Sequence, residues 1–121
     1  MSKPIAGACH VPTIDQHHPT SSTAATKAPA APGAGWQHVL LWVAYSTTGT
    51  IAAGTNLTVN DGTTDLVKQY LPTTATAEFL DFRPDGLPVG DNKAMTITVS
   101  DPGDSGTAAL NFAYVTVETG N

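Results

Sequence analysis

Beyond residue 35 the apolar residues recur at every second position, and no stretch keeps the three-to-four spacing of an amphipathic helix. The densest run is Trp36–Ser46, WQHVLLWVAYS, rich in the β-branched and aromatic residues that suit a strand. Gly33 and Gly35 precede it and a Ser/Thr/Gly cluster at 46–50 follows it, so turn formers bound it on both sides. Strict alternation places Trp36, His38, Leu40, Trp42 and Ala44 on one face and Gln37, Val39, Leu41, Val43 and Tyr45 on the other. Both faces are largely apolar. One face of a surface strand normally meets water, so a second cover, a partner subunit, is expected here.

Five further strands follow. Thr55–Asn60 points Leu57 and Val59 inward, and Asn60-Asp61-Gly62 makes a hairpin turn from residues that tolerate positive φ. The return strand is Asp65–Leu71, with Val67 and Leu71 on one face and Leu66 and Tyr70 on the other; Pro72 ends it. Ala75–Phe82 sets Leu80 and Phe82 opposite Phe79. The stretch Arg83–Asn92, with Pro84, Gly86, Pro88 and Gly90, reads as a long loop. Lys93–Ser100 turns Met95, Ile97 and Val99 in and Thr96, Thr98 and Ser100 out. After a turn at Asp101–Gly106, Thr107–Thr119 places Leu110, Phe112 and Tyr114 opposite Ala109, Ala113, Val115 and Val117. It too looks covered on both faces. Six short strands with no helix between them predict an all-β chain, an antiparallel β-sandwich or jelly-roll-like domain.

Residues 1–34 lack this pattern. Pro4, Pro12, Pro19, Pro29 and Pro32 interrupt them, and only Ile5, Val11 and Ile14 are large and aliphatic. Such a segment cannot bury enough surface to offset its ordering entropy. It predicts an extended arm on a sandwich domain of 35–121, with a reach on the order of 100 Å at about 3.3 Å per residue. An arm laid along a neighbouring subunit, dispensable for folding, fits this composition better than a passive tail.

Composition narrows the functions. The net charge is −5, from ten acidic and five basic residues. Without a basic patch, nucleic-acid binding is not expected. Cys9 is the sole cysteine, so no disulfide can form within the chain. There is no apolar leader segment and no run near the roughly 20 residues that span a bilayer. A protein made and kept in the cytoplasm until it assembles is expected, without membrane partners.

Chemistry-bearing clusters are few. Cys9, His10, His17 and His18, with Asp15 nearby, are of zinc-ligand type, but their spacing fits no finger or ribbon. Polar contacts on a docked arm explain them better. The aspartates of 85–91 and 101–104 lack the spacing of a calcium loop and read as turn residues. No nucleophile elbow or zinc-protease motif is present, and Glu78 and Asp81 on one strand point to opposite faces. No catalytic residue, metal site or cofactor is expected. His38, on an apolar face beside Trp36 and Leu40, reads as a hydrogen-bonded interface histidine.

The body resembles short β-sandwich proteins of tailed-phage virions. The features are the lead Pro32-Gly-Ala-Gly-Trp36-Gln-His-Val39, the LTVNDGTTDL hairpin at Leu57–Leu66, the MTITVS strand at Met95–Ser100 and the ALNFAYVTV strand at Ala109–Val117. Proteins of this look include head decoration, or cement, proteins. The resemblance implies a homotrimer on a capsid surface, an N-terminal arm gripping the major capsid protein, and a structural role without catalysis. The expected oligomer interface is Trp36, His38, Leu40, Trp42, Phe112 and Tyr114; the expected attachment residues are Ile5, Cys9, His10, Val11, Ile14, His17 and His18. The alternative is a small jelly-roll binding module for a receptor or carbohydrate, with 83–92 as its loop. An exposed aromatic platform would favour it.

Overall fold

The computed structural model describes residues 11–119. Its strands are β1 (Thr13–His17), β2 (Ala25–Lys27), β3 (Trp36–Thr48), β4 (Asn56–Asn60), β5 (Asp65–Tyr70), β6 (Thr76–Asp81), β7 (Leu87–Pro88), β8 (Thr96–Val99) and β9 (Thr107–Glu118). No helix occurs among the described residues. The first sheet runs β1-β9-β3-β6, with the short β7 also on β3; the second runs β2-β8-β4-β5. All pairings are antiparallel. Strands from the two halves of the chain pair as mirror images: β4 with β5, β3 with β6, β2 with β8 and β1 with β9. This is a long hairpin rolled into two packed sheets, the jelly-roll form of a β-sandwich.

The tip of that hairpin is built by one carboxylate. Oδ1 of Asp61 accepts hydrogen bonds from the main-chain amides of Thr63 (3.0 Å) and Thr64 (2.7 Å), and Asp61 N–H donates to the Thr64 carbonyl. Its other oxygen meets Lys93 Nζ at 3.2 Å. Gly62 takes φ 103°, which only glycine adopts without strain. The amides of Thr64 and Thr63, and then Lys93, hold the Asp61 carboxyl down to about 2.

Between the sheets, inward positions interdigitate. Leu40, Val43, Leu57, Val59, Met95, Ile97, Val99, Leu110 and Phe112 are fully buried. Each contributes about 1.5–3 kcal/mol of transfer free energy, the range for a fully buried large apolar side chain. Tyr45 joins this core, its hydroxyl accepting from Gln69 Nε2 at 2.9 Å. Burial first, and the nearby Glu78 carboxylate second, push that hydroxyl's pKa up.

The strict alternation expected along Trp36–Ser46 breaks at one residue. Leu40 pairs with Tyr114 and Trp42 with Ala113, so Leu41 is an extra residue, a β-bulge. Its carbonyl accepts from Phe82 N–H at 2.9 Å. Before the bulge His38 and Leu40 face the core; after it Val43, Tyr45 and Thr47 do. Trp42 and Ala44 therefore turn outward, on the face opposite to Leu40. The stretch 83–92 is also more ordered than a loop, since β7 pairs with Val39 and Leu40. Gly86, at φ 79°, passes so close that a Cβ would overlap Val39 Cγ1.

Residues 11–34 differ most from expectation. Instead of leaving the sandwich, β1 pairs with Leu110–Tyr114 at one edge of the first sheet and β2 with Ile97–Val99 at one edge of the second. Ala25 is fully buried in the core. The link onward is pinned: His38 Nε2 donates to the Ala30 carbonyl (2.7 Å), and Asn92 and Asp91 accept from the amides of Gly33 and Gly35. Edge strands are held by main-chain bonds and keep most side chains wet, so they need no apolar alternation.

Three outcomes follow from this architecture. Removing residues 1–34 should lower the melting midpoint by ~10 °C or more, at about 4–8 °C per kcal/mol for a domain of this size, or abolish cooperative melting. Phe112→Ala should cost about 3–5 kcal/mol in denaturant unfolding. Asp61 has a folded pKa below its unfolded value of about 3.9, so its contribution is complete above that pH and disappears toward pH 2. Asp61→Asn should melt below wild type at pH 7, and the gap should close between pH 4 and 2.

Candidate functional site

The bulge at Leu41 creates the most distinctive surface of the molecule. Beyond it, Trp42 stands on the outer face of the first sheet, opposite Ala113, and Ala113 in turn lies opposite Ile14. The next row across the strands is Gln16, Asn111, Ala44 and Phe79. Trp42 and Phe79 are diagonal neighbours on adjacent strands, with ring centroids 5.6 Å apart and planes tilted by 33°. Ile14 is 70% exposed and Phe79 52%. Val115, half-buried, extends the apolar strip beside Val39.

Charge is balanced at the rim. Arg83 grips Asp81 through two bonds, Nε to Oδ1 at 2.8 Å and an amino nitrogen to Oδ2 at 3.1 Å. The guanidinium's hydrogen bond, followed by the Arg83 amide, holds the Asp81 carboxyl below its usual range. The same guanidinium lies 5.9 Å from the Phe79 ring centroid. In a chain of net charge −5, this face is apolar at its centre and neutral at that edge.

The expected interface residues divide. Leu40 and Phe112 are completely buried in the chain's own core, so they cannot meet a partner in the folded molecule. The same holds for His38, 5% exposed, whose Nδ1 pairs with Thr116 Oγ1 at 2.9 Å and whose Nε2 holds Ala30. Tyr114 stacks on Phe112 at 5.9 Å and meets the edge of His38 at 5.2 Å. Trp36 is half-buried at the start of β3, opposite Glu118. Trp42 alone of the six belongs to the outer patch. The bulge explains the difference, because strict alternation had put all four β3 residues on one face.

Of the attachment residues, Ile5, Cys9 and His10 lie outside the described residues. Val11 is 83% exposed, and Ile14 sits on the patch. His17 Nδ1 accepts from the Thr26 amide at 3.0 Å, joining β1 to β2, and His18 Nε2 donates to Asn111 Oδ1 at 3.1 Å. These two imidazoles tie strands together and do not converge on a shared point. Asp91 and Asp101 serve the main chain, accepting from Gly35 and Gly103 amides. Glu78 faces toward Tyr45, and Asp81 lies opposite Trp42 on the outer side. Among the described residues no three His, Cys, Asp or Glu side chains group as metal ligands, and no cavity opens.

Phe79 is a patch residue to which no sequence motif assigns a role, although alternation sets it opposite Leu80 and Phe82. Phe79→Ser should change stability by less than about 1.5 kcal/mol, the range of an aromatic pair, whereas Leu40→Ala should cost about 2–5 kcal/mol by the same denaturant titration. No protein-family model matches the chain, and no curated protein matches it.

Proposed function

We propose that this chain is a structural, non-enzymatic protein of a tailed-phage virion, a capsid decoration or cement protein that binds the major capsid protein shell and stabilises it. The observation that carries the reading is the outer face of the first sheet. The exposed Ile14 and Phe79, with the half-buried Trp42 on the same face, form an apolar patch on an acidic sandwich, and such a patch is suited to burial against protein. The resemblance of the Trp36–Val39, Leu57–Leu66, Met95–Ser100 and Ala109–Val117 segments to phage head proteins supplies the kind of particle.

The proposed homotrimer uses the same face. A three-fold ring needs a heterologous contact, one surface of each subunit against a different surface of the next. Trp42 and Phe79 supply one of the two. Attachment to the shell falls to the start of the chain, whose entry into β1 lies at the edge of this face beside Ile14.

Light scattering on dilute protein should give three times 12.4 kDa, and Phe79→Glu should shift the mass toward one chain while the circular dichroism is unchanged. Wild type should co-sediment with capsids lacking this protein and raise their melting temperature. A wild-type chain that stays monomeric and leaves such capsids bare would overturn the reading.

A further inference from the structure

The second sheet also has an outer face, and its chemistry is different. Register places Thr26 opposite Thr98, Thr98 opposite Thr58 and Thr58 opposite Lys68, one row crossing all four strands. The hydroxyls of Thr26 and Thr98 are 2.8 Å apart. In the neighbouring row Asn56 lies opposite Tyr70 on the edge strand β5. Tyr70 is 64% exposed, and Lys68 Nζ lies 5.5 Å from its ring centroid. At the far end of the face Asp65 accepts from Asn60 Nδ2 at 2.9 Å, roughly 17 Å along the strand from Tyr70 at about 3.4 Å per residue.

Two exposed aromatic rings thus sit on opposite faces of the sandwich, each with a cation nearby. Phe79 is flanked by Trp42 and by an Arg83 already paired to Asp81, whereas Tyr70 is flanked by hydroxyls, an amide and the Lys68 ammonium. Thr26 and Thr98 pair with each other and Asn56 Nδ2 donates to the Gly54 carbonyl, but a dry protein contact would still strip water from the Thr58 hydroxyl and the Lys68 ammonium at a cost. A fitting ligand offers both a small apolar surface of polarised C–H groups and many hydroxyls. The ring face carries negative charge density and attracts polarised hydrogens, as it attracts the Lys68 ammonium. The row of four strands spans about 14 Å at ~4.8 Å per strand, and with no cavity among the described residues the ligand must lie along the surface.

We propose that this face binds a neutral oligosaccharide, with one pyranose ring stacked on Tyr70 in place of Lys68 and flanking hydroxyls bonded by Asn56, Thr58, Lys68 and Thr98. The site is flat and its side chains are solvated, so the affinity is low, with Kd on the order of 0.1–1 mM. The proposal does not rest on the capsid reading, which depends on the other sheet.

The test is an NMR titration of the ¹⁵N-labelled full chain with maltohexaose, cellohexaose and chitohexaose up to about 10 mM, well above the expected Kd. At least one should move amide signals of Tyr70, Lys68, Thr58 and Asn56 together. Tyr70→Ala should weaken that binding several-fold to about tenfold, Tyr70→Phe should retain it, and Phe79→Glu on the opposite sheet should leave it unchanged. Tyr70 is exposed, so both of its variants should keep the wild-type circular dichroism. The proposal is overturned if none of the three sugars moves these signals, if the shifts map elsewhere, or if Tyr70→Ala binds as well as wild type.

Discussion

The ladder between β3 and β9 is the constraint on which the rest of the structure depends. These are the two longest strands, and they pair along nearly their whole length at the centre of the first sheet. Their inward residues, Leu40, Val43, Tyr45, Ala108, Leu110 and Phe112, make up six of the fourteen buried residues of the core. Each also carries an edge, β6 and β7 on β3 and β1 on β9. One extra residue in this ladder, Leu41, decides which large side chains are core and which are surface. Without that bulge Trp42 and Leu40 would share a face, and the outer patch would lose its tryptophan.

Much of the fold was legible because period-two alternation is a direct consequence of burial on one side. Leu57, Val59, Met95, Ile97 and Val99 all lie where alternation puts them, and the Asn60-Asp61-Gly62 turn closes the predicted hairpin. Two features were not legible. A bulge leaves no reliable mark in a strand whose faces are both apolar, as in the run Val39-Leu40-Leu41-Trp42-Val43. Edge strands such as Thr13–His17 are specified by the main chain of their neighbour, so their own side chains carry little pattern. Proline-rich composition pointed away from structure there, although Pro12, Pro19, Pro29 and Pro32 all fall between or before the strands.

The candidate surfaces show the same division. Phe79 and Tyr70 could each be placed on a strand face from sequence alone. Their surroundings could not, because the neighbours come from other parts of the chain: Ile14 and Trp42 on one side, Asn56, Thr58 and Thr98 on the other. His38 illustrates the reverse case. Its position beside Trp36 and Leu40 suggested a hydrogen-bonded interface histidine, yet both ring nitrogens are satisfied within the chain, by Thr116 and Ala30. A buried histidine with two partners fastens the crossing between sheets instead of greeting a neighbour.

The mirror pairing also bears on how the chain is made. His18 and Asn111 meet although 93 residues separate them, and β1, the first of the described strands, has the last of them, β9, as its partner. Contacts between chain ends are the slowest to form, because a long loop must close before they contribute. The roll can be completed only once synthesis of β9 has finished. Until then β3 lacks its central partner and the core lacks Leu110 and Phe112, so the nascent chain presents strand edges and apolar surface to its surroundings. A chain with this topology favours concerted closure of the roll, once β9 is available, over stepwise folding strand by strand.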